Sequence, residues 1–401
     1  MTAKKKEKLD ARRGRGKAKD AAKTPKKELD IFDADVVESL QFLEAGFADS
    51  DDPFMTYMLA SHALYGDDWN EPDPEKGRRY CEKAVKLGSP DAMILLAQLD
   101  LEGVGGRRDA RSAWRLLNQA FEQGCGGNEY TLGECCAYLG QCCEHGWGTR
   151  ESDEEAFKWY RKSAELGNLN CVLKTGFWCE MGIGTEPNPT EAIEWYRKGA
   201  SKKDGRAFYF LGRCFETGIG TEPNPTEAVA LYRQGMERGC GAAAWRLGLC
   251  YKDGVGTEPD PDEAFVAFVQ GDELGFADAA FELGEAYVGG TIVGKNVSKA
   301  AQWWRKASKN GCALAAYRLG ELYFRGEGRF KENRKRAFQY FKSAGNRGCV
   351  EAIVRVGEFL ENGWAPRGKM VKAALTWYRA AAEMGDAKAK EALKRLEGES
   401  D

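Results

Sequence analysis

Histidine is almost missing from this 401-residue chain, with only His62 and His145 present. Two histidines leave little room for a Ser-His-Asp triad or a histidine-rich metal site. Proline is scarce as well, 12 residues against 48 glycines. That balance excludes a collagen-like or proline-rich disordered chain and implies many short joints. No run approaches the ~20 apolar residues that a membrane-spanning helix needs. The opening segment, MTAKKKEKLDARRGRGKAKDAAKTPKKELD, has no apolar core of the kind a secretory signal carries.

That segment is instead basic, with 12 Lys+Arg against 5 Asp+Glu over residues 1–30, near +7; the other 371 residues hold 47 against 57, near −10. Its composition reads as a disordered tail. Such a tail solubilises, or it touches nucleic acid, an acidic membrane or the acidic body of the chain. Thirteen cysteines are an odd number, so at least one is unpaired within the chain. Without an export signal they are expected as reduced thiols in a cytoplasm.

What the chain does have is a period. Gly140, Gly176, Gly212, Gly248, Gly284, Gly320 and Gly357 recur inside helical patterns, five of them preceded by Leu. Six residues after each of the first six stands another glycine, then a small residue at 156, 192, 228, 264, 300, 337 and 374, and usually a closing glycine 11 residues later. The repeat is 36 to 37 residues long, and two weaker copies precede the clear ones, giving nine units over about 51–385. Each unit holds two amphipathic stretches with apolar residues three and four apart, the spacing of one helix face. No strand-like alternation competes. The pattern predicts an all-α solenoid of stacked helix pairs, with the recurring small residues letting the two helices approach closely. The segment 31–50 and the charged helix within 386–401 are expected to cap its ends.

The joints are repeated too: GIGTEPNPTEA occupies both 182–192 and 218–228, and GVGTEPDPDEA occupies 254–264. Asp73, Asp109, Ser152, Asn188, Asn224, Asp260, Asn296 and Asn333 stand where second helices begin, as side chains that accept the orphan amides of a first turn; Met370 breaks the series. Pro189, Pro225 and Pro261 follow at the first helical position, and the Glu two residues later can close a capping box. The Gly-x-Gly then ends the first helix, where the chain must reverse. A phosphate loop would need Gly-Lys-Ser/Thr opening a helix, and a dinucleotide loop a preceding strand.

Units such as AAAWRLGLCYKDGVGTEPDPDEAFVAFVQGDELG resemble the Sel-1-like repeat family, relatives of the tetratricopeptide repeat, through Leu247-Gly248, Tyr251, Gly254-x-Gly256, Asp260, Ala264 and Gly275. The resemblance implies a right-handed α/α superhelix and a cytoplasmic adaptor or scaffold that binds a protein or peptide along its concave face, with no catalysis and no cofactor. Some secreted relatives pair cysteines eight residues apart. Here Cys171 and Cys179 have that spacing but fall within one predicted helix, where they cannot bridge.

In this repeat class the first helices line the concave face. Lys174, Arg246, Arg318 and Arg355 lie two residues before their anchor glycines and Arg213 one after, a helix-spaced basic row that would suit an acidic segment. The second helices carry Arg161, Arg197, Arg233, Arg305, Lys342 and Arg379 in a stricter row, read as solvated repeat chemistry. Trp159, Trp195, Trp303 and Trp377 read as core.

Against the adaptor stands one enzymatic segment, CCAYLGQCCEH at 135–145. If it is one helix, Cys135 and Cys142 lie ~10 Å apart along the axis, too far to share one ion, so no metal site is expected. A reactive thiol at Cys142 or Cys143 beside His145 is the rival, and nucleic-acid binding by the tail a third reading. This unit also has seven extra residues, Gly124 to Gly140 spanning 16 where other joints span nine. Either the loop is longer or the helix gains about two turns.

Overall fold

The computed structural model describes residues 51–66, 71–290 and 292–398. The expected basic tail and N-terminal cap lie outside them. Helices alternate along the chain as α1 (Pro53–Tyr65), α2 (Pro74–Lys86), α3 (Pro90–Glu102), α4 (Ala110–Glu122), α5 (Glu129–His145), α6 (Asp153–Glu165), α7 (Leu169–Met181), α8 (Pro189–Ser201), α9 (Gly205–Thr217) and α10 (Pro225–Glu237). They continue as α11 (Gly241–Asp253), α12 (Pro261–Glu273), α13 (Ala277–Gly289), α14 (Val297–Lys309), α15 (Ala313–Arg325), α16 (Arg334–Gly345), α17 (Val350–Glu361), α18 (Val371–Glu383) and α19 (Ala387–Gly398). No strand occurs among the described residues. The fold is the expected α-solenoid of helix pairs. It divides into two compact units inside α9, one reaching Ala207 with Gly218–Glu222, the other formed by Phe208–Thr217 and Pro223 onward.

Within each pair the contact centres on the anchor glycine. A β-carbon on Gly140 would fall 2.6 Å from the ring of Tyr160, and one on Gly176 the same distance from Tyr196. Gly212 meets Tyr232, Gly248 meets Phe268, Gly284 meets Trp304, Gly320 meets Phe341 and Gly357 meets Tyr378 in the same way, at 2.5–2.6 Å. The glycine is therefore a niche in the first helix that takes an aromatic ring from the second, and all seven rings are buried. The two early repeats fill the same space differently. Ala97 and Leu117 take these places in one cluster of buried side chains, Ala60 and Cys81 in another. Ala97 with Leu117 keeps a small-plus-large volume, whereas Ala60 with Cys81 joins two small side chains.

The joints follow from hydrogen bonding. Gly182 sits at φ 69°, ending α7 with its amide on the Trp178 carbonyl. Gly184 has a further reason: a β-carbon there would lie 2.2 Å from the carbonyl oxygen of Asp153, in the first turn of the preceding second helix. One glycine turns the chain and the other lets the loop touch the neighbouring repeat. All eight expected N-cap side chains accept a first-turn amide, for example Asn188 from Glu191 at 3.1 Å and Asp109 from Ser112 at 2.9 Å, while Met370 accepts none. The capping box differs from expectation. The Asn188 amide donates instead to the Cys179 carbonyl of α7 at 2.7 Å, and Asn224, Asp260 and Asn333 donate likewise to Phe215, Tyr251 and Tyr323. The N-cap thus joins the two helices of a pair, and Glu191 accepts from the Asn188 side chain.

The seven extra residues divide between both alternatives. Three lengthen the joint into a tight turn at Gly124–Gly127, where Cys125 takes φ 47°, and four make α5 17 residues long against 13 in α11. After α18, the charged α19 buries Ala389 and Leu396.

The niche predicts a compensating pair. Gly248→Ala should lower stability by about 1–3 kcal/mol through overpacking, read as a shift in the urea midpoint. Adding Phe268→Leu, which copies the Ala97 and Leu117 arrangement, should recover part of the loss. A double variant no more stable than Gly248→Ala alone would contradict the niche.

Candidate partner-binding face

The aromatic ring carries a second consequence wherever it is tyrosine. A buried phenol needs a hydrogen-bond partner, and the residue four after the anchor glycine supplies it. Tyr160 donates to Glu144 at 2.5 Å, Tyr196 to Glu180 at 3.0 Å, Tyr232 to Glu216 at 2.6 Å and Tyr378 to Glu361 at 2.9 Å. Where the ring has no hydroxyl, the same place holds Lys252, Val288 and Phe324. The exception proves the pairing: Trp304 faces a repeat with Val288, and its indole N–H is buried without a hydrogen-bond partner.

The glutamates then reach the next repeat. Glu144 pairs with Lys174 at 2.6 Å, Glu361 with Arg395 at 2.7 Å, and Glu216 with Arg246. One rung has its charges exchanged, Lys252 of α11 pairing with Glu282 of α13 at 2.9 Å. Where position four is apolar, the carboxylate moves to the residue after the anchor glycine. Glu285 pairs with Arg318 at 2.8 Å, and Glu321 with Arg355 at 2.7 Å, whose guanidinium lies 4.6 Å over Phe324. Four of the five basic residues singled out from the sequence therefore stand on the first helices as expected, each already paired with a neighbouring repeat's glutamate. Arg213 lies over the Phe210 ring at 5.4 Å. The face carries alternating charge rather than a basic stripe. Sequence reading passed over the glutamates, although the coincidence of Tyr with Glu across seven repeats was there to be seen.

These contacts set the titration of the carboxyls. Burial pushes Glu216 up, but the Arg246 guanidinium and the Tyr232 hydroxyl more than offset it and hold the carboxyl below its usual range. Glu144 is held low in the same way by Lys174 and Tyr160, and Glu361 chiefly by Arg395.

The thiol segment has a different character. Cys135, Cys136, Cys142 and Cys143 are all buried in α5. Burial pushes Cys142 up to about 12 and Cys143 up to about 11, and the nearest charges, Cys143 for the first and Glu155 for the second, push the same way. His145 leans on Trp147, ring centroids 4.6 Å apart, and its Nε2 lies 3.9 Å from Glu144. A nucleophilic thiol needs access and a lowered pKa, and these have neither. Cys171 and Cys179 share α7, as expected, and both are free thiols. Trp195 is buried, and Trp159, Trp303 and Trp377 pack half-buried against the core. Among the described residues no group of His, Cys, Asp and Glu could hold a metal ion, and no helix is long and apolar enough to cross a membrane.

The Sel1 repeat profile matches nine stretches, 53–89, 90–125, 133–168, 172–204, 206–240, 241–266, 277–312, 313–349 and 350–386. This chain belongs to the Sel1 repeat family. Solved structures agree on the fold. A protective antigen of uropathogenic Escherichia coli with an SLR fold is similar at 25% identity and TM-score 0.58, over 90% of this chain and 75% of that one. A Sel1 repeat protein from Oxalobacter formigenes is similar at 29% identity and TM-score 0.55, over 65% of this chain and 97% of that one. Sel1 repeat proteins are generally protein-interaction scaffolds. In these Sel1 repeats the anchor glycine, the ring and the charge ladder form one device, joining helix to helix and repeat to repeat.

Two outcomes follow. Because the folded carboxyl of Glu216 titrates below its unfolded value, its contribution is full above the ordinary carboxylate range and is lost as pH falls through the lowered folded value. Glu216→Gln should cost about 1.5–3 kcal/mol at pH 7 and flatten the fall in urea midpoint between pH 7 and pH 3; an unaltered slope would argue against the ladder. For the thiols, alkylation of Cys142 and Cys143 by iodoacetamide at neutral pH should proceed only at the rate of unfolding. Rapid labelling of either in the folded protein would restore the enzymatic reading.

Proposed function

We propose that this chain is a non-catalytic adaptor that binds a protein or peptide segment along the face made by the first helices. The observation carrying this reading is the ladder itself. Its side chains are held in fixed geometry by neighbouring repeats yet remain accessible, Lys252 at 48% and Arg318 at 46% side-chain exposure. Polar groups fixed in advance lose little freedom when a partner docks, which is what favours binding.

The partner's chemistry follows from the pairing. Arg246, Arg318 and Arg355 in the second unit each hold a glutamate, as Lys174 does in the first, so a purely acidic segment would have to displace a carboxylate at each one it met. A segment carrying both signs can exchange partners along the ladder, its acids meeting Arg318 and Arg355 and its bases meeting Glu285 and Glu321. We take Arg213, beside Phe210 on α9, as part of the same face. Thirteen buried thiols used as small packing residues support a reducing, cytoplasmic setting.

The test removes whole rungs, leaving no unpaired charge behind. Arg318→Ala with Glu285→Ala, combined with Lys252→Ala and Glu282→Ala, should leave the fold within about 1 kcal/mol per pair. Binding to a partner captured by the parent protein should weaken at least about tenfold, or ~1.4 kcal/mol. Undiminished affinity in a folded variant would move the site off this face.

A further inference from the structure

The second-helix row behaves differently at one position. Arg161 pairs with Glu191 at 3.1 Å and Arg379 with Glu397 at 2.8 Å. Arg305 of α14 and Arg336 from the first turn of α16 instead line one cleft together with Tyr323 at the end of α15. Among the described residues neither arginine has a carboxylate within ion-pairing distance. Aromatic rings hold both in place: Arg305 lies over Phe330 at 5.5 Å, Arg336 over Tyr323 at 5.5 Å, and Tyr323 stacks on Tyr340 at 5.7 Å.

The sequence shows how unusual this is within the array. At the place of Arg336, three residues after the N-cap, four consecutive second helices carry Glu155, Glu191, Glu227 and Glu263. Arg233, at the place of Arg305, donates to Tyr251 at 2.6 Å, but Glu263 stands at the third place there. The following repeat has Lys299 beside Tyr287, with Val269 where the first arginine would be. Among the described residues, two arginines at these places line one cleft with the tyrosine at Tyr323 alone.

We propose that the cleft between α14 and α16 is a binding site for a phosphate monoester. It has a volume of about 500 Å³ and is lined by Arg305, Arg336, Tyr323, Ser308, Gln339 and Ser343, with Tyr340 as its aromatic wall and no acidic side chain. Two guanidinium forks arriving from different helices suit a tetrahedral dianion, which accepts hydrogen bonds from several directions. The hydroxyls and the Gln339 amide supply further donors. A carboxylate accepts mainly in one plane and uses fewer of them. Burial pushes the Tyr323 hydroxyl up, yet the Arg305 and Arg336 guanidiniums draw it below its usual value. The site is independent of the first-helix face.

The experiment titrates the full chain by calorimetry with inorganic phosphate, with a phosphoserine peptide and its unphosphorylated form, and with acetate, all at one ionic strength. Phosphate should bind at least tenfold more tightly than acetate, and the phosphorylated peptide more tightly than its plain form. Arg336 is exposed, so Arg336→Gln should keep the parent melting temperature while weakening phosphate at least tenfold, and Arg305→Gln should do the same. A phosphopeptide bound tenfold more tightly than free phosphate identifies a phosphorylated protein as the source. Equal affinities identify a small phosphomonoester. Phosphate and acetate binding alike, or Arg336→Gln leaving phosphate affinity unchanged in the folded protein, would overturn the proposal.

Discussion

An aromatic ring lodged over a glycine is the contact on which the rest of this structure depends. The helix of a pair that bears the glycine has no side chain at that place, so the ring of its partner reaches the backbone, and the two helices come as close as the ring allows. Everything else is placed by that approach. It sets where the N-cap amide meets the first helix's carbonyl, and it points a tyrosine hydroxyl at a glutamate. The niche takes Tyr, Phe or Trp over glycine and Leu over alanine at similar summed volume, while the first repeat places the smaller Cys81 with Ala60.

The glutamate turns a contact within a repeat into one between repeats. It serves two neighbours, a phenol in its own pair and a cation in the next, through one oxygen in Glu144 and through separate oxygens in Glu216 and Glu361. In Glu216 both are engaged, to Tyr232 and to Arg246. Where the ring loses its hydroxyl, that carboxylate has no buried donor to satisfy, and the place is free to become Lys252, Val288 or Phe324. The ionic link persists all the same, with its charges exchanged at Lys252 and Glu282 or shifted by one turn to Glu285 and Glu321. The link persists while its residues change from repeat to repeat, and it leaves a row of fixed, accessible charges on the first helices. A binding surface made this way comes with its geometry already set.

Much of this was legible in the sequence because it is local. The period, the helix pairs, the eight N-caps and the packing of the tryptophans against the core all rest on residue types at short spacing, and each stands where it was expected. The capping box was not legible, because the amide it needed is claimed by a carbonyl nine residues earlier, in another helix. The pairing of the expected basic row could not be read either: Lys174 and Glu144 are 30 residues apart, and only the stacking of one repeat on the next brings them together. The cleft at Tyr323 was hidden for the same reason. Arg305 looked like one more member of a solvated row until α14, α15 and α16 were placed side by side.

The central claim is that partners bind on the first-helix face, and site-specific photo-crosslinking tests it most directly. A photoreactive residue would be placed in turn at Lys252 and Arg318 on first helices, and at Lys158 and Arg197 on second helices. With a partner captured by the parent protein, the account predicts adducts from positions 252 and 318 and none from 158 and 197. Adducts confined to 158 and 197 would contradict it.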